Sequence, residues 1–164
     1  MEKKYYKNLK MIVCVGKDNL IGDRTPDENS NGMLWHIKEE LMYFKERTIG
    51  NTVLFGGTTA KYVPVELMRK NREVIVLHRT MDVPKLIEDL TQENKTIFVA
   101  GGYSIYKYFL DNFEIDEIFL STIKDSVEVK EAVEPLYLPN IEEYGYKVVE
   151  KKEYDEFIAY VYKK

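Results

Sequence analysis

The 164-residue sequence has a single cysteine, Cys14, so no internal disulfide can staple it. That cysteine lies in the apolar run "MIVCVG", where a small packing residue is the expected reading rather than a reactive thiol. No apolar run approaches the ~20 residues of a membrane helix, so no membrane partner is expected. The opening "MEKKYYKNLK" lacks the apolar stretch of a secretory signal, and a reducing cytoplasm is the expected home. No excess of positive charge exists either. The net charge is −4 and the lysines and arginines are scattered, which argues against nucleic acid as a partner. The lysine pairs near the termini read as solvated ends. Tandem repeats, low-complexity tracts and internal boundaries are missing, so a single domain over residues 1–164 is expected.

What is present is ordinary for a globular chain: 45% hydrophobic and 32% charged residues, enough for one substantial core. Strands and helices alternate. "MIVCVG" reads as a buried strand and Asp23–Gly32 as a loop. A helix follows in "GMLWHIKEELMYFKER". "NTVLFGG" is a strand, then "TTAKYV" a short helix that Pro64 helps to end. "REVIVLHRT" is a strand and "VPKLIEDLTQEN" a helix with Pro84 near its start. "KTIFVAGG", "YSIYKYFLDN" and "EIDEIFLSTI" read as strand, helix and strand. The C-terminal "YGYKVVEKKEYDEFIAYVYKK" reads as two strands around a polar turn. This order predicts an α/β fold, with a mostly parallel central sheet, flanking helices and an antiparallel C-terminal edge hairpin.

Two stretches share one plan. "TVLFGGTTAKY" and "TIFVAGGYSIYKY" each run from an apolar strand through Gly-Gly to a helix carrying Thr or Ser. Gly56-Gly57 and Gly101-Gly102 therefore lie at strand-to-helix junctions, where free N–H groups attract phosphate. Two readings stay open: a nucleotide site at the carboxyl ends of parallel strands, or tight turns with capped helices. Neither junction is a G-x-G-x-x-G, so a standard Rossmann domain is not indicated.

The helix after the loop poses a question. At about 100° per residue, Ile37, Leu41 and Phe44 share one face, and Glu40 falls beside Leu41 and Phe44. An unpartnered carboxylate is costly in apolar surroundings. A flat heterocycle with an amino group beside a ring N–H would offset that cost through two parallel hydrogen bonds. Periodicity alone favours the plainer reading, a carboxylate at a solvated helix edge or paired with Lys or Arg.

Taken in order, "IVCVGKDNLIG", "LWHIKEELMYFK", "VLFGGTTAKYV", "REVIVLHR", "IFVAGGYSIYKYFL" and "IFLSTI" resemble the dihydrofolate reductase family over most of the chain. The resemblance implies hydride transfer from NADPH to the C6–N5 imine of 7,8-dihydrofolate, giving tetrahydrofolate for one-carbon metabolism. It makes Glu40 the acidic residue that holds the pterin, with Ser121 supporting it and Trp35 ordering water beside it. Ile12, Cys14, Leu41 and Phe44 match pterin and benzoyl contacts, and Val63 a benzoyl contact. Arg72 matches the arginine for the α-carboxylate of the glutamate, with Arg69 as a rival. On the cofactor side the matches are Gly57, Thr58 and Thr59, then Gly101 and Gly102 with a cis link, and Tyr103, Ser104, Ile105 and Tyr106. Ile21 and Gly22 lead into a lid over Asp23–Met33. No metal is implied, and a monomer is expected.

Some positions depart from the family. Gly57 and Ser104 stand where basic residues often serve the 2′-phosphate of NADPH; His78 and Arg79 are placed to supply that charge instead. Leu34 replaces a proline, the lid is longer, and "EPLYLP" replaces an Asp-Thr-containing motif that contacts the lid. Two other functions stay open. One is a related reductase of another pterin or of a pyrimidine substrate, against which Glu40 argues. The other is a non-catalytic nucleotide-binding module on the same fold.

Overall fold

Strand β1, Lys4–Val15, runs through the middle of a seven-stranded sheet. The chain is represented by a computed structural model that describes residues 3–25 and 33–164. The lid expected over Asp23–Met33 falls largely on residues 26–32, which lie outside the described residues.

Around β1 the strands are β3 (Thr52–Gly56), β4 (Glu73–Leu77), β5 (Ile97–Val99), β6 (Phe113–Ile123), β8 (Lys147–Glu153) and β9 (Phe157–Lys163). Their order is β4-β3-β5-β1-β6-β9-β8. Pairs from β4 through β6 are parallel, and β6–β9 and β9–β8 are antiparallel. This is the expected sheet with its antiparallel edge hairpin. Both β8 and the end of β9 stay exposed, and the lysines and glutamates of β8 discourage further pairing at that edge. A separate pair, β2 (Leu20–Asp23) with β7 (Pro135–Tyr137), was not visible in the sequence pattern.

The helices are α1 (Lys38–Thr48), α2 (Gly57–Ala60), α3 (Val65–Met68), α4 (Val83–Gln92) and α5 (Tyr103–Asn112). Asp82 caps α4 by accepting from the Lys85 N–H at 3.1 Å, with Pro84 in the first turn. Pro64 does not end the short helix expected over "TTAKYV". The first helical turn stops at Ala60, and Pro64 instead precedes α3.

Two corrections concern β1 and α1. The strand begins seven residues earlier than "MIVCVG", at Lys4, so the first lysine pair belongs partly to paired backbone. Its inward residues Tyr6 and Leu9 are three apart because the register shifts between Tyr6 and Lys10, and a bulge hides strand periodicity. On α1 the buried side chains are Glu40, Tyr43 and Thr48, while Leu41 is 43% exposed. The Ile37–Leu41–Phe44 stripe is therefore not the packed face.

Alternation along the central strands separates two layers of core. Leu9, Met11, Val13, Ile118 and Leu120 pack with α4 and α5 on one side. Ile12, Phe98, Ile123, Phe157 and Ala159 pack with Trp35, Ile37 and Tyr43 on the α1 side. Cys14 joins that second layer, and its register partner on β6 is Ser121.

Candidate active site

The segment entering α1 is extended and apolar, and buries Leu34, Trp35 and Ile37. The Trp35 ring lies against Gly16, where an added Cβ would meet its Cζ3 at 3.3 Å. Its indole Nε1 is buried and has no hydrogen-bond partner among the described residues. A buried donor left open in this way marks a place for a water or ligand acceptor.

Glu40 sits in the first turn of α1, 7% exposed, and no salt bridge among the described residues involves it. Burial lifts its pKa to about 7, against the opposing effect of a hydrogen bond from the Cys14 thiol. The same burial, with the nearby Glu40 charge, raises the Cys14 thiol well above its usual value. The thiol is thus an inert donor beside the acid, in line with a packing role. Ser121 is 1% exposed, directly across the sheet from Cys14 on the α1 side. The solvated-edge reading of Glu40, favoured by periodicity, is overturned: the residue is buried, and no cation among the described residues pairs with it.

The aryl-contact candidates surround this helix. Phe44 is half-buried and bridges two core clusters. Val63 is half-buried against the same cluster as Phe55 and Met68, and Ile12 is buried below. Leu41 remains open to solvent on the helix surface.

At the far end of α1, Arg72 donates from Nη1 to Thr48 Oγ1 at 3.1 Å and from Nε to Asn71 Oδ1 at 2.9 Å. Thr48 is fully buried and donates to the Phe44 carbonyl at 2.8 Å. Partial burial lowers the Arg72 pKa. Arg69 is turned elsewhere, to Glu66 at 2.7 Å and the Val74 carbonyl at 3.2 Å. Thr48 escaped the sequence reading, because a threonine at a helix end has no distinguishing pattern.

The two Gly-Gly junctions meet. The Gly56 N–H donates to the Gly101 carbonyl at 2.8 Å. The Gly101–Gly102 peptide is cis, as the resemblance implied. A Cβ on Gly56 would lie 2.8 Å from Ile105 Cγ1, and one on Gly102 would lie 2.6 Å from Thr59 Oγ1. At either place an added methyl group would force the facing side chain to move. Gly57, by contrast, faces open space. Gly102 is the N-cap of α5 and offers no capping side chain, so the first N–H groups of the helix are not taken by a capping oxygen. Thr59, Tyr103 and Ile105 are half-buried around the junction, and Thr58 and Ser104 are exposed. Tyr106 is buried and its hydroxyl donates to the Ile12 carbonyl at 2.8 Å, fastening α5 to β1. His78 and Arg79 are exposed just past β4. The arrangement is a bare-backbone cradle at the carboxyl ends of β3 and β5, suited to phosphate.

Ile21 and Gly22 lie half-buried in β2, and Gly22 pairs with Leu136. Asp23 accepts from the N–H groups of Thr25, Val133 and Glu134 at 3.0, 2.8 and 2.9 Å. The resemblance places a lid contact at the "EPLYLP" loop, but the residues of this clamp, Asp23 with Val133 and Glu134 at the start of that loop, were not named by the sequence, since neither stretch names its partner. Among the described residues no cluster of three or more metal-ligating side chains occurs, and no helix is long and apolar enough to cross a membrane.

Comparison with known proteins agrees with this geometry. The dihydrofolate reductase family profile matches residues 8–163. Dihydrofolate reductase of Mycoplasma genitalium is 27% identical over 128 residues, covering 69% of this chain and 74% of that protein. The dihydrofolate reductase of Mycoplasma pneumoniae is 25% identical over 129 residues, covering 70% and 76%. That of Buchnera aphidicola is 22% identical over 147 residues, covering 85% and 83%. With nearly the whole chain matched and an acid buried on α1 beside paired Gly-Gly junctions, this chain belongs to the dihydrofolate reductase family of oxidoreductases.

Proposed function

We propose that this member of the family reduces the C6–N5 imine of 7,8-dihydrofolate with NADPH, giving 5,6,7,8-tetrahydrofolate. The observation that carries the reading is Glu40, a buried carboxylate with no salt-bridge partner among the described residues. A lone buried charge is stabilised when a ligand offers donors to both its oxygens, as the amino group and adjacent ring N–H of a pterin do. Ionised Glu40 then favours the protonated, more electrophilic pterin. Ser121 supports the carboxylate from β6. Trp35, with its open N–H, orders a water near N5 that relays the proton, so Glu40 acts electrostatically rather than as the direct donor.

Phe44, Leu41 and Val63 wall the rings, with Ile12 and Cys14 beneath the pterin. Arg72, held in place by Thr48, offers a fork to the α-carboxylate of the glutamate. NADPH, when bound, supplies the hydride from its nicotinamide. The cradle of Gly57, Thr58, Thr59, Gly101, Gly102, Tyr103, Ser104 and Ile105 takes its phosphates, and the close approaches at Gly56 and Gly102 fit that use. Tyr106 acts from beneath by fixing α5 on β1. His78 and Arg79 supply charge to the 2′-phosphate in place of Gly57 and Ser104. Ile21 and Gly22 border the nicotinamide where the lid begins.

The test is NADPH oxidation on adding 7,8-dihydrofolate, with NADH in parallel. Dihydrofolate-dependent oxidation that is faster with NADPH supports the reading, and Glu40→Gln should slow it sharply in a folded protein. Folded protein that oxidises neither cofactor overturns it.

A further inference from the structure

Strands β1 and β6 begin side by side, with Lys4 in register with Phe113. At that end of the sheet, against α4 and α5, the surface forms a concavity of about 360 Å³. Tyr6, Pro84, Tyr108 and Phe113 supply its apolar walls. Lys4, Glu88 and Asn112 supply its polar groups. None of these residues belongs to the site around Glu40 or to the Gly-Gly cradle, which lies at the carboxyl ends of β3 and β5.

Three of the walls are aromatic and adjoin one another. The Phe113 ring centroid is 6.2 Å from that of Tyr6 and 6.3 Å from that of Tyr108. Ring faces carry negative potential and attract cations. One cation is already there: the Lys4 ammonium sits 5.0 Å from the centroid of the Tyr6 ring and donates to Glu88 Oε2 at 2.9 Å. The Tyr6 hydroxyl donates to the same oxygen at 2.6 Å, so neither bond uses the second oxygen of the carboxylate. The Lys4 side chain is 64% exposed and that of Glu88 40%. An ammonium on so open a stem is held weakly. Asn112 spends its side-chain N–H on the Tyr108 carbonyl at 2.8 Å, which leaves its amide oxygen to accept.

We propose that this concavity binds a primary ammonium ion carried on a compact apolar body, with the charge at Glu88 and the Tyr6 ring and the body against Pro84, Tyr108 and Phe113. Lys4 marks the place of the charge and is a tethered competitor for it. The lining selects this class of ligand. An anion would face the Glu88 carboxylate and the ring faces together. A neutral apolar molecule would gain nothing from either.

The experiment titrates phenethylammonium chloride into the isotope-labelled full-length chain and follows amide NMR signals. Sodium chloride holds the ionic strength constant, and neutral phenethyl alcohol is titrated in parallel. The expected result is saturable shifts at the Tyr108 and Phe113 backbone amides and the Asn112 side-chain amide, with millimolar affinity and weaker binding of the alcohol. Lys4→Met keeps an apolar stem and removes the competing charge, and should tighten binding roughly two- to fivefold. Glu88→Gln should weaken it by about the same factor, the scale of one exposed cation–π contact or ion pair. Both substitutions are at exposed side chains, and thermal melts check that the fold is kept. Shifts that are absent, or confined to amides around Glu40, overturn the site. So does equal binding of the alcohol, an affinity unmoved by Glu88→Gln, or weaker binding in Lys4→Met.

Discussion

The backbone N–H of Gly56 donates to the carbonyl of Gly101 at 2.8 Å, so the two strand-to-helix junctions are one structural unit. Ile105 packs over Gly56 closely enough that a methyl group there would collide with Cγ1 at 2.8 Å. Gly56→Ala should destabilise the fold by about 1–3 kcal/mol, the usual cost of overpacking, and weaken NADPH binding. Ile105→Ala in the same protein removes the obstructing atom and should recover part of the stability. Thermal melts and NADPH titrations of both single variants and the double variant check this. Additive losses in the double variant would sink the packing argument.

Glu40 makes the ligand-free protein sensitive to pH. Its pKa rises from 4.5 in the unfolded chain to about 7 in the fold, chiefly through burial. Below about pH 4.5 it is protonated in both states. Between 4.5 and 7 only the unfolded chain releases the proton, so stability falls as pH rises through that window. Glu40→Gln removes the effect. The variant should gain up to about 3 kcal/mol over wild type as pH goes from 4.5 to 8, while losing turnover. Carboxylates held below their usual range, such as Glu88 beside Tyr6 and Lys4, act at lower pH and cancel in the comparison. Denaturant melts across pH 4–8 give the difference directly, and a constant offset between the two proteins contradicts the prediction.

Arg72→Lys should raise KM for dihydrofolate by roughly tenfold or more with a smaller change in kcat, because an ammonium cannot reproduce a two-pronged contact to a carboxylate. Arg69→Lys, at an arginine already committed to Glu66 and Val74, should change KM little. Steady-state kinetics on the two variants decide between the arginines, and the reverse order would reassign the anchor.

Asp23→Asn should loosen the stem of the lid. Burial pushes the Asp23 pKa up, but backbone N–H groups of Glu134, Val133 and Thr25 outweigh it and hold the carboxyl below its usual range. Its contribution is therefore present at neutral pH and is lost as pH falls through that depressed value. The variant should show faster amide hydrogen exchange at Val133 and Glu134 at pH 7, with the difference narrowing in acid. Unchanged protection at both amides would show that the β2–β7 pairing alone holds the stem.

The sequence by itself determined the alternation of strands and helices, the antiparallel C-terminal hairpin and the twin Gly-Gly junctions, because hydrophobic period and glycine placement are local properties of the chain. It also singled out Glu40, as an acid beside Leu41 and Phe44. Local pattern failed where a single residue shifts the phase. The bulge after Tyr6 hid the first half of β1, and one helical step decided that Glu40 and Tyr43, rather than Leu41, face inward. Only the tertiary structure decided which groups share a space: Thr48 with Arg72, Gly56 with Gly101, Cys14 across from Ser121, and Asp23 with Val133 and Glu134. Those partners lie 24, 45, 107 and about 110 residues apart in the chain, and only packing of the sheet brings them within hydrogen-bonding or register distance.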